Sequence, residues 1–159
     1  MAGMSTLLVL RHAKAVPGGG MPDIERSLAD RGRRDAEAAG EWLRDRGLVP
    51  DLVLCSTAVR TRETLERLAV PAAVRYESQI YDNDADTLLT LVREADDDVR
   101  TLLLVGHNPS VHQLVHDLTG AAPDAFPTCA LAVIEWEGGW TDAWPGAGTL
   151  VTFRTPKQP

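Results

Sequence analysis

An uninterrupted run of four apolar residues, Leu7 to Leu10, constrains the fold more than any other stretch of the chain. Because polar and apolar residues do not alternate in it, the run indicates a strand that is buried on both faces. Such strands lie in the middle of parallel sheets, whose ligands bind just beyond the carboxyl ends of the strands. Arg11 and His12 occupy that position. A guanidinium beside an imidazole is suited to binding an anion and attacking it.

Two further segments, at residues 51–55 and 101–105, each have four consecutive apolar residues after a polar first residue and predict two more buried strands. Segments with helical spacing of apolar residues separate and follow them. We predict helices over 30–46, from 56 or 57 to 68, from the 84–86 segment to 95 and over 109–119, capped by Asp30, by Ser56 or Thr57, by Asp84 or Asp86 and by Asn108. Residues 72–75 predict a short strand, whereas 13–29 and 76–86 carry no regular pattern. The first of these irregular segments leaves the end of the first strand, so we expect it near any site there.

The carboxyl-terminal part of the chain changes character. Residues 130–136 and 149–153 read as two strands separated by a glycine-containing turn, which predicts an antiparallel hairpin at one edge of the sheet. The alternation of strands and helices before it is typical of the α/β class. We therefore expect a three-layer α/β/α sandwich with a mainly parallel sheet. The 159 residues suffice for a single domain over positions 1–159.

Composition limits the classes of partner. Sixteen basic residues against twenty-three acidic ones give a net charge of −7, which argues against a nucleic-acid partner. No apolar stretch approaches the length of a membrane span, and the amino terminus lacks the features of a signal peptide. Cys55 and Cys129 are far apart, fit no metal spacing and read as buried thiols in a reducing compartment. The sequence predicts a cytoplasmic protein without a membrane or nucleic-acid partner.

Three of the predicted strands deliver groups that can carry positive charge to the same edge of the sheet. Arg11 and His12 follow the first strand, Arg60 lies in the first turn of the helix after the second, and His107 follows the 101–105 strand. Parallel strands bring these positions together, and free amides at a helix amino terminus add to the attraction for anions. A small, tetrahedral, multiply charged guest fits such a set. The sequence therefore predicts a phosphoryl-binding site.

The residue types also predict the chemistry of this site. A neutral imidazole can attack phosphorus and carry the phosphoryl group, so His12 is the candidate nucleophile. Neighbouring arginines disfavour the imidazolium and keep the attacking nitrogen free. Arg11 and Arg60 can grip phosphate oxygens in a forked geometry, and His107 adds a third donor. Phosphoryl transfer then depends on positioning and charge neutralisation, so we predict no metal and no cofactor.

Three motifs resemble those of the histidine phosphatase superfamily: Leu-Arg-His-Ala-Lys at 10–14, Ser-Thr-Ala-Val-Arg-Thr-Arg-Glu-Thr at 56–64 and Val-Gly-His-Asn-Pro at 105–109. The short length and the Arg-His-Ala-Lys form are similar to the SixA-type branch, the bacterial phosphohistidine phosphatases. Residues 26–28 and 30–32 resemble a loop and helix entry of that branch. The resemblance implies a phosphoglycerate mutase-like sandwich.

By this resemblance, His12 is the phosphorylated nucleophile. Arg11, Arg60 and His107 form the phosphate pocket. The partner implied is a protein that carries phosphohistidine, with a small phosphorylated metabolite as the other possibility.

One departure from the superfamily concerns the leaving group. Many members that hydrolyse monoesters use a carboxylic acid beyond the third strand, where this chain offers Glu77, Asp82 and Asp84 but no clear match. Glu77 and Asp82 are kept as candidates for that acid. An imidazole leaves phosphorus more readily than an alkoxide, so a phosphohistidine substrate depends less on general-acid help. The sequence therefore favours a labile phosphoryl substrate.

Several alternatives stay open at this point. The protein could be a phosphatase or mutase for small monoesters, or a module that binds phosphoproteins without catalysis. Arg60 could be a surface arginine paired with Glu63 or Glu66. His112 and His116 have the spacing of helical zinc ligands, although Gln113 stands where a catalytic glutamate would be needed.

Overall fold

The apolar runs form the centre of a six-stranded sheet in the computed structural model, which describes residues 3–156. The strands in chain order are β1 (Met4–Arg11), β2 (Leu52–Cys55), β3 (Ala73–Tyr76), β4 (Thr101–Gly106), β5 (Leu131–Glu137) and β6 (Thr149–Arg154). Their spatial order is β3-β2-β4-β1-β5-β6, and the first four in this order run parallel. β5 and β6 are antiparallel and end the sheet at one edge, as predicted.

Helices cover both faces of the sheet. Within residues 3–156 they are α1 (Asp30–Asp45), α2 (Val59–Leu68), α3 (Ser78–Tyr81), α4 (Ala85–Arg93) and α5 (Ser110–Thr119). Alternate residues of β1 point to opposite faces: Leu8 and Leu10 pack with α1 and α2, whereas Leu7 and Val9 pack with α4 and α5. All four are fully buried. The predicted three-layer α/β/α sandwich with a mainly parallel sheet is therefore confirmed.

The small residues of α1 allow α2 to approach it closely. A methyl group at Gly40 would collide with the carbonyl of Leu68 at the end of α2. Ala36 and Ala39 lie on the same buried stripe of α1. This contact seats α2 against the sheet and thereby fixes the helix that carries Arg60.

Several predicted boundaries and caps are wrong. Asp30 is the first residue of α1 and pairs with Arg33 at 2.6 Å instead of capping the helix. α2 begins at Val59, after Ala58, which offers no side-chain cap. The segment predicted to be irregular at 76–86 contains α3, and the Asp84 carboxylate caps α4 by accepting the amide of Thr87, as predicted.

The amino terminus of α5 also differs from the prediction. The helix begins at Ser110, one residue after Pro109, and the peptide bond before Pro109 is cis. The amide of Ser110 donates to the side-chain oxygen of Asn83 at 3.0 Å, so a distant asparagine takes the role predicted for Asn108. The Asn83 side-chain nitrogen donates to the carbonyl of Asn108, which ties the segment after His107 to the turn after α3.

The remaining features are the two cysteines, two tryptophans near the hairpin and the length and polarity of the helices. Both cysteines are free and buried, as predicted. Trp136 and Trp140 are buried at the edge of the sheet with their ring centroids 5.4 Å apart. None of the helices in residues 3–156 is long and apolar enough to cross a membrane.

Candidate active site

His12 lies immediately after β1, where the main chain is still tied to the neighbouring strand. Its amide donates to the carbonyl of Gly106 at 3.1 Å, and its side chain is buried, with 7% of the residue exposed. The Nδ1 atom lies 2.8 Å from the carbonyl oxygen of Ala13. Because a carbonyl can only accept, Nδ1 carries the proton of the neutral ring. The Nε2 atom is therefore left with its lone pair, as a nucleophile requires.

The surroundings of His12 keep this ring neutral. Burial is the main cause that lowers the pKa of His12 from 6.5 to about 4, and the positive charges of Arg60, Arg11 and Arg26 lower it further. The hydrogen bond to Ala13 acts in the opposite direction. The sequence predicted the effect of the arginines, but burial at the sheet edge is the larger cause.

Arg11 and Arg60 enter the site from two different elements. Arg60 is in the first turn of α2 with only 6% of the residue exposed, so the alternative of a surface arginine is wrong. Its Nη1 donates to the main-chain carbonyl of Asp23 at 2.9 Å, and its Nη2 pairs with the side-chain carboxylate of the same residue at 3.0 Å. Arg11 donates through Nη1 to the carbonyl of Phe126 at 3.1 Å. In both guanidinium groups the buried Nε–H has no hydrogen-bond partner within residues 3–156.

His107 follows β4 and faces His12, with the two ring centroids 5.4 Å apart. Its Nε2 lies 2.8 Å from the hydroxyl of Ser56, whereas its buried Nδ1 has no partner in the described part of the chain. Burial lowers the pKa of His107 to about 3, and the charges of His12 and Arg60 contribute in the same direction. This ring is neutral at neutral pH as well.

These four residues, Arg11, His12, Arg60 and His107, form what we name the site floor. The structure thus brings together the set that the sequence singled out. Three of its nitrogens, Nε of each arginine and Nδ1 of His107, are buried with no partner among the residues that the structure describes. Buried polar groups are nearly always hydrogen-bonded in proteins. A tetrahedral oxyanion can supply several acceptors at once, so the floor fits a phosphoryl group next to a nucleophilic nitrogen.

Three further side chains, Asp23, Arg26 and Tyr81, form what we name the rim. The Asp23 carboxylate accepts the hydroxyl of Tyr81 at 2.7 Å and pairs with Arg26 at 3.0 Å in addition to Arg60. The hydrogen bond from Tyr81 is the main cause that lowers the pKa of Asp23 to about 2, and the hydrogen bond and charge of Arg60 add to it. The Tyr81 ring stands edge-on to His107, with centroids 5.6 Å apart. Asp23 is therefore a carboxylate in direct contact with the floor, through Arg60.

The sequence missed Asp23, which lies in a short 3₁₀ turn over Asp23–Glu25 inside the loop predicted to be near the site. The candidates for a general acid lie elsewhere. Glu77 pairs with Arg75 at 3.8 Å beside β3, and Asp82 is exposed after α3. Within residues 3–156, no hydrogen bond, ion pair or ring contact connects either one with the floor.

His112 and His116 lie on α5 outside the floor. The Nε2 of His112 donates to the carbonyl of Pro123 at 2.6 Å, and its ring stacks on Phe126. In residues 3–156 there is no group of three or more His, Cys, Asp or Glu side chains arranged to hold a metal ion. These contacts indicate that His112 packs against Phe126 and the Pro123 carbonyl and has a structural role.

The fold and the floor define a class of protein that comparison with known families identifies. Residues 7–84 match the family model described as histidine phosphatase superfamily, branch 1. This match includes the second half of β1 and all of α2, and with them Arg11, His12 and Arg60. The chain belongs to the histidine phosphatase superfamily.

Relatives that align over nearly the whole chain narrow the class. An uncharacterized protein of Mycobacterium tuberculosis (strain ATCC 25618 / H37Rv) is 39% identical over 158 residues, which cover 93% of this chain and 100% of that protein. A structure from Nakamurella multipartitia, provisionally named phosphohistidine phosphatase SixA, is 32% identical with a TM-score of 0.88, covering 99% of each chain. The structure of the protein histidine phosphatase SixA complexed with tungstate shares the fold, with a TM-score of 0.82 at 23% identity over 95% of this chain and 97% of that one. Within the superfamily the chain is of the SixA type, as the motifs indicated.

Proposed function

We propose that the protein is a phosphatase that removes the phosphoryl group from phosphohistidine on a protein substrate, through a phosphorylated His12 and without a metal ion. The observation that carries the proposal is that the His12 ring, whose Nε2 keeps its lone pair, lies among three buried nitrogens that have no partner within residues 3–156. Membership of the superfamily supports a phosphatase. The cytoplasmic location and the identity of the partner stay predictions from the sequence.

The first step follows from the geometry of the floor. The lone pair of His12 Nε2 forms a bond to phosphorus while the bond between phosphorus and the substrate imidazole breaks. The departing nitrogen takes a proton from water. Arg11, Arg60 and His107 donate to the three equatorial oxygens and neutralise their charge as the group moves.

In the second step, water attacks the phosphorus of phosphohistidine 12. The bond to Nε2 breaks, the proton of the water passes to solvent or phosphate, and inorganic phosphate leaves. The Ala13 carbonyl holds Nδ1–H throughout, so the ring returns to the starting tautomer. The sum is the hydrolysis of one P–N bond with no change in oxidation state.

The rim supports a P–N substrate over a simple monoester. A general acid works best when its pKa lies near the working pH. Asp23 has its pKa held at about 2 by Tyr81 and Arg60, so its carboxylate is ionised and carries no proton for an alkoxide. An imidazole leaving group needs such help less, because it departs as a weaker base than an alkoxide.

A substrate panel tests this proposal. We expect the wild type to turn over a phosphohistidine peptide and phosphoramidate with kcat/KM at least about 10²-fold above that for sugar or glycerate phosphates, the low end of a general-acid contribution. The His12→Ala variant should be inactive on all of them, and a chelator should leave wild-type turnover unchanged.

Each failure in this panel has a distinct meaning. A preference for small monoesters would replace the proposal with a monoester phosphatase or mutase. Binding of the phosphopeptide without release of phosphate would indicate a non-catalytic module. Loss of activity with the chelator would contradict the metal-independent mechanism.

A further inference from the structure

Ser56 lies inside the site without a place in the mechanism above. It directly follows β2 and is fully buried. Its amide donates to the carbonyl of Val105 at 3.1 Å, and its own carbonyl accepts the hydroxyl of Thr61 at 2.9 Å. These bonds to β4 and α2 fix the serine between the two elements that carry His107 and Arg60.

The hydroxyl of Ser56 has two neighbours in hydrogen-bonding range. The amide of Ala58 donates to it at 3.3 Å, and His107 Nε2 lies 2.8 Å from it. A hydroxyl has one proton to donate, and an amide N–H cannot accept it. Within residues 3–156, Nε2 of His107 is therefore the one acceptor that the serine proton can reach.

The hydrogen bonds of Ser56 select one tautomer of His107. If the serine donates to Nε2, then Nε2 has the lone pair and Nδ1 carries the proton of the neutral ring. In the other tautomer, Nε2–H would point at the serine oxygen and the serine proton would be buried without an acceptor. Within residues 3–156 the first arrangement leaves only the Nδ1–H donor unpaired, whereas the second leaves both the serine proton and the Nδ1 lone pair unpaired. Unpaired buried polar groups are costly, so the first arrangement is favoured.

We propose that Ser56 is a positioning residue that holds His107 as the Nδ1–H tautomer, so that this buried nitrogen donates to the phosphoryl group bound beside His12. The proposal rests on the proposed function for the identity of the guest. The opposite tautomer would present a lone pair to an anion, which repels it. Ser56 thus determines whether His107 helps or hinders binding.

The two histidines of the floor then have the same tautomer, but a hydrogen-bond acceptor fixes it in His12 and a hydrogen-bond donor fixes it in His107. The Ala13 carbonyl accepts from Nδ1 of His12 and leaves Nε2 bare for attack. The Ser56 hydroxyl donates to Nε2 of His107 and leaves Nδ1 protonated for donation. An acceptor beside one ring produces a nucleophile, and a donor beside the other produces a hydrogen-bond donor.

Nitrogen NMR of the protein labelled with ¹⁵N-histidine tests the tautomer without any substrate. At neutral pH the rings of His12 and His107 are neutral, and we expect both to show the Nδ1–H pattern. His112, which donates through Nε2 to Pro123, should show the Nε2–H pattern in the same spectrum and serves as the internal reference. An Nε2–H pattern for His107 in the wild type would overturn the proposal.

Two serine variants separate positioning from packing. Ser56→Ala should move His107 toward the Nε2–H tautomer. Ser110→Ala is the matched control, because Ser110 is also buried and its hydroxyl donates to the main-chain carbonyl of His107 at 2.9 Å instead of to the ring. The control should keep the wild-type tautomer. An unchanged His107 pattern in folded Ser56→Ala would also overturn the proposal.

A double-mutant cycle connects the tautomer with turnover of a phosphohistidine peptide. We expect Ser56→Ala to lower kcat/KM about tenfold, the size of one net hydrogen bond, and to add no loss in the His107→Ala background. An equal loss in both backgrounds would show a merely structural role. If His12→Ala proved fully active, the proposed function would fail, whereas the tautomer measurement would stand by itself.

Discussion

The floor and the rim of the site are built in different ways. His12, Arg60 and His107 are at least nine-tenths buried at the ends of strands and the first turn of a helix. In the rim, the Asp23 side chain is 53% exposed and lies in a loop. The floor therefore owes its geometry to the sheet, whereas the rim is held by ionic and hydrogen-bond contacts among groups that water can reach.

This difference in burial indicates which of the two groups of residues carries out the reaction. Contacts between exposed charges stabilise little, because water and salt screen them. Contacts in the floor are shielded, so each donor there has a larger effect on a bound anion. We infer that the floor performs the reaction and that the rim holds Arg60 from outside.

Removal of a floor arginine has the largest expected effect of the predictions below. Arg60→Ala should lower kcat/KM for a phosphohistidine peptide by about 10²–10³-fold, because one donor to the transferring group is lost. The matched control is Arg62→Ala, two positions along α2, whose exposed side chain contacts the Thr57 carbonyl and the Tyr76 ring. Near-normal turnover by folded Arg60→Ala would show that Arg60 does not bind the transferring phosphoryl group.

The burial of the two floor histidines predicts acid sensitivity of the fold. The unfolded chain binds a proton on each ring near pH 6.5, whereas the folded chain does so only near pH 4 for His12 and pH 3 for His107. Between these values the unfolded state holds more protons, so the free energy of unfolding falls as the pH falls through this window. From pH 7 to pH 5 we expect a loss of about 2 kcal/mol for each histidine.

Urea unfolding at the two pH values measures this loss. His12→Gln and His107→Gln should each reduce the difference between pH 7 and pH 5, and His116→Gln, at an exposed position on α5, should not. Equal differences in all four proteins would show that the floor rings are not buried in the neutral form.

Removal of the rim carboxylate has the smallest expected effect. Asp23→Asn should keep kcat/KM within about tenfold of the wild type, because exposed ion pairs contribute little and the main-chain carbonyl of Asp23 still accepts from Arg60 Nη1. Steady-state kinetics on the same peptide measure it. A loss of 10²-fold or more would erase the distinction between floor and rim and make Asp23 a catalytic group.

The same distinction explains what the sequence could predict. The runs at 7–10, 51–55 and 101–105 identify buried parallel strands, and the topology of such a sheet then places the residues that follow them at one edge. The residues of the floor could be predicted from the sequence for this reason. The cap at Asp84 could be predicted too, because its partner Thr87 is only three residues away.

The contacts of the rim could not be predicted from the sequence, because they join residues that are distant in the chain. Asp23 meets Arg60 across 37 positions and Tyr81 across 58. The contact of Ser56 with His107 spans 51 positions, so the sequence could suggest the serine only as a helix cap. The cap predicted at Asn108 was wrong for the same reason, since Asn83 provides that hydrogen bond from 27 positions away.

Trapping of the covalent intermediate tests the central claim most directly. The protein is mixed with a peptide that carries radiolabelled phosphohistidine, quenched within one turnover and digested, and the labelled peptide is identified. We predict an acid-labile, base-stable phosphoryl adduct on His12 that is missing from His12→Ala. An adduct that persists in His12→Ala, or rapid turnover by the wild type with no adduct on His12, would contradict the account.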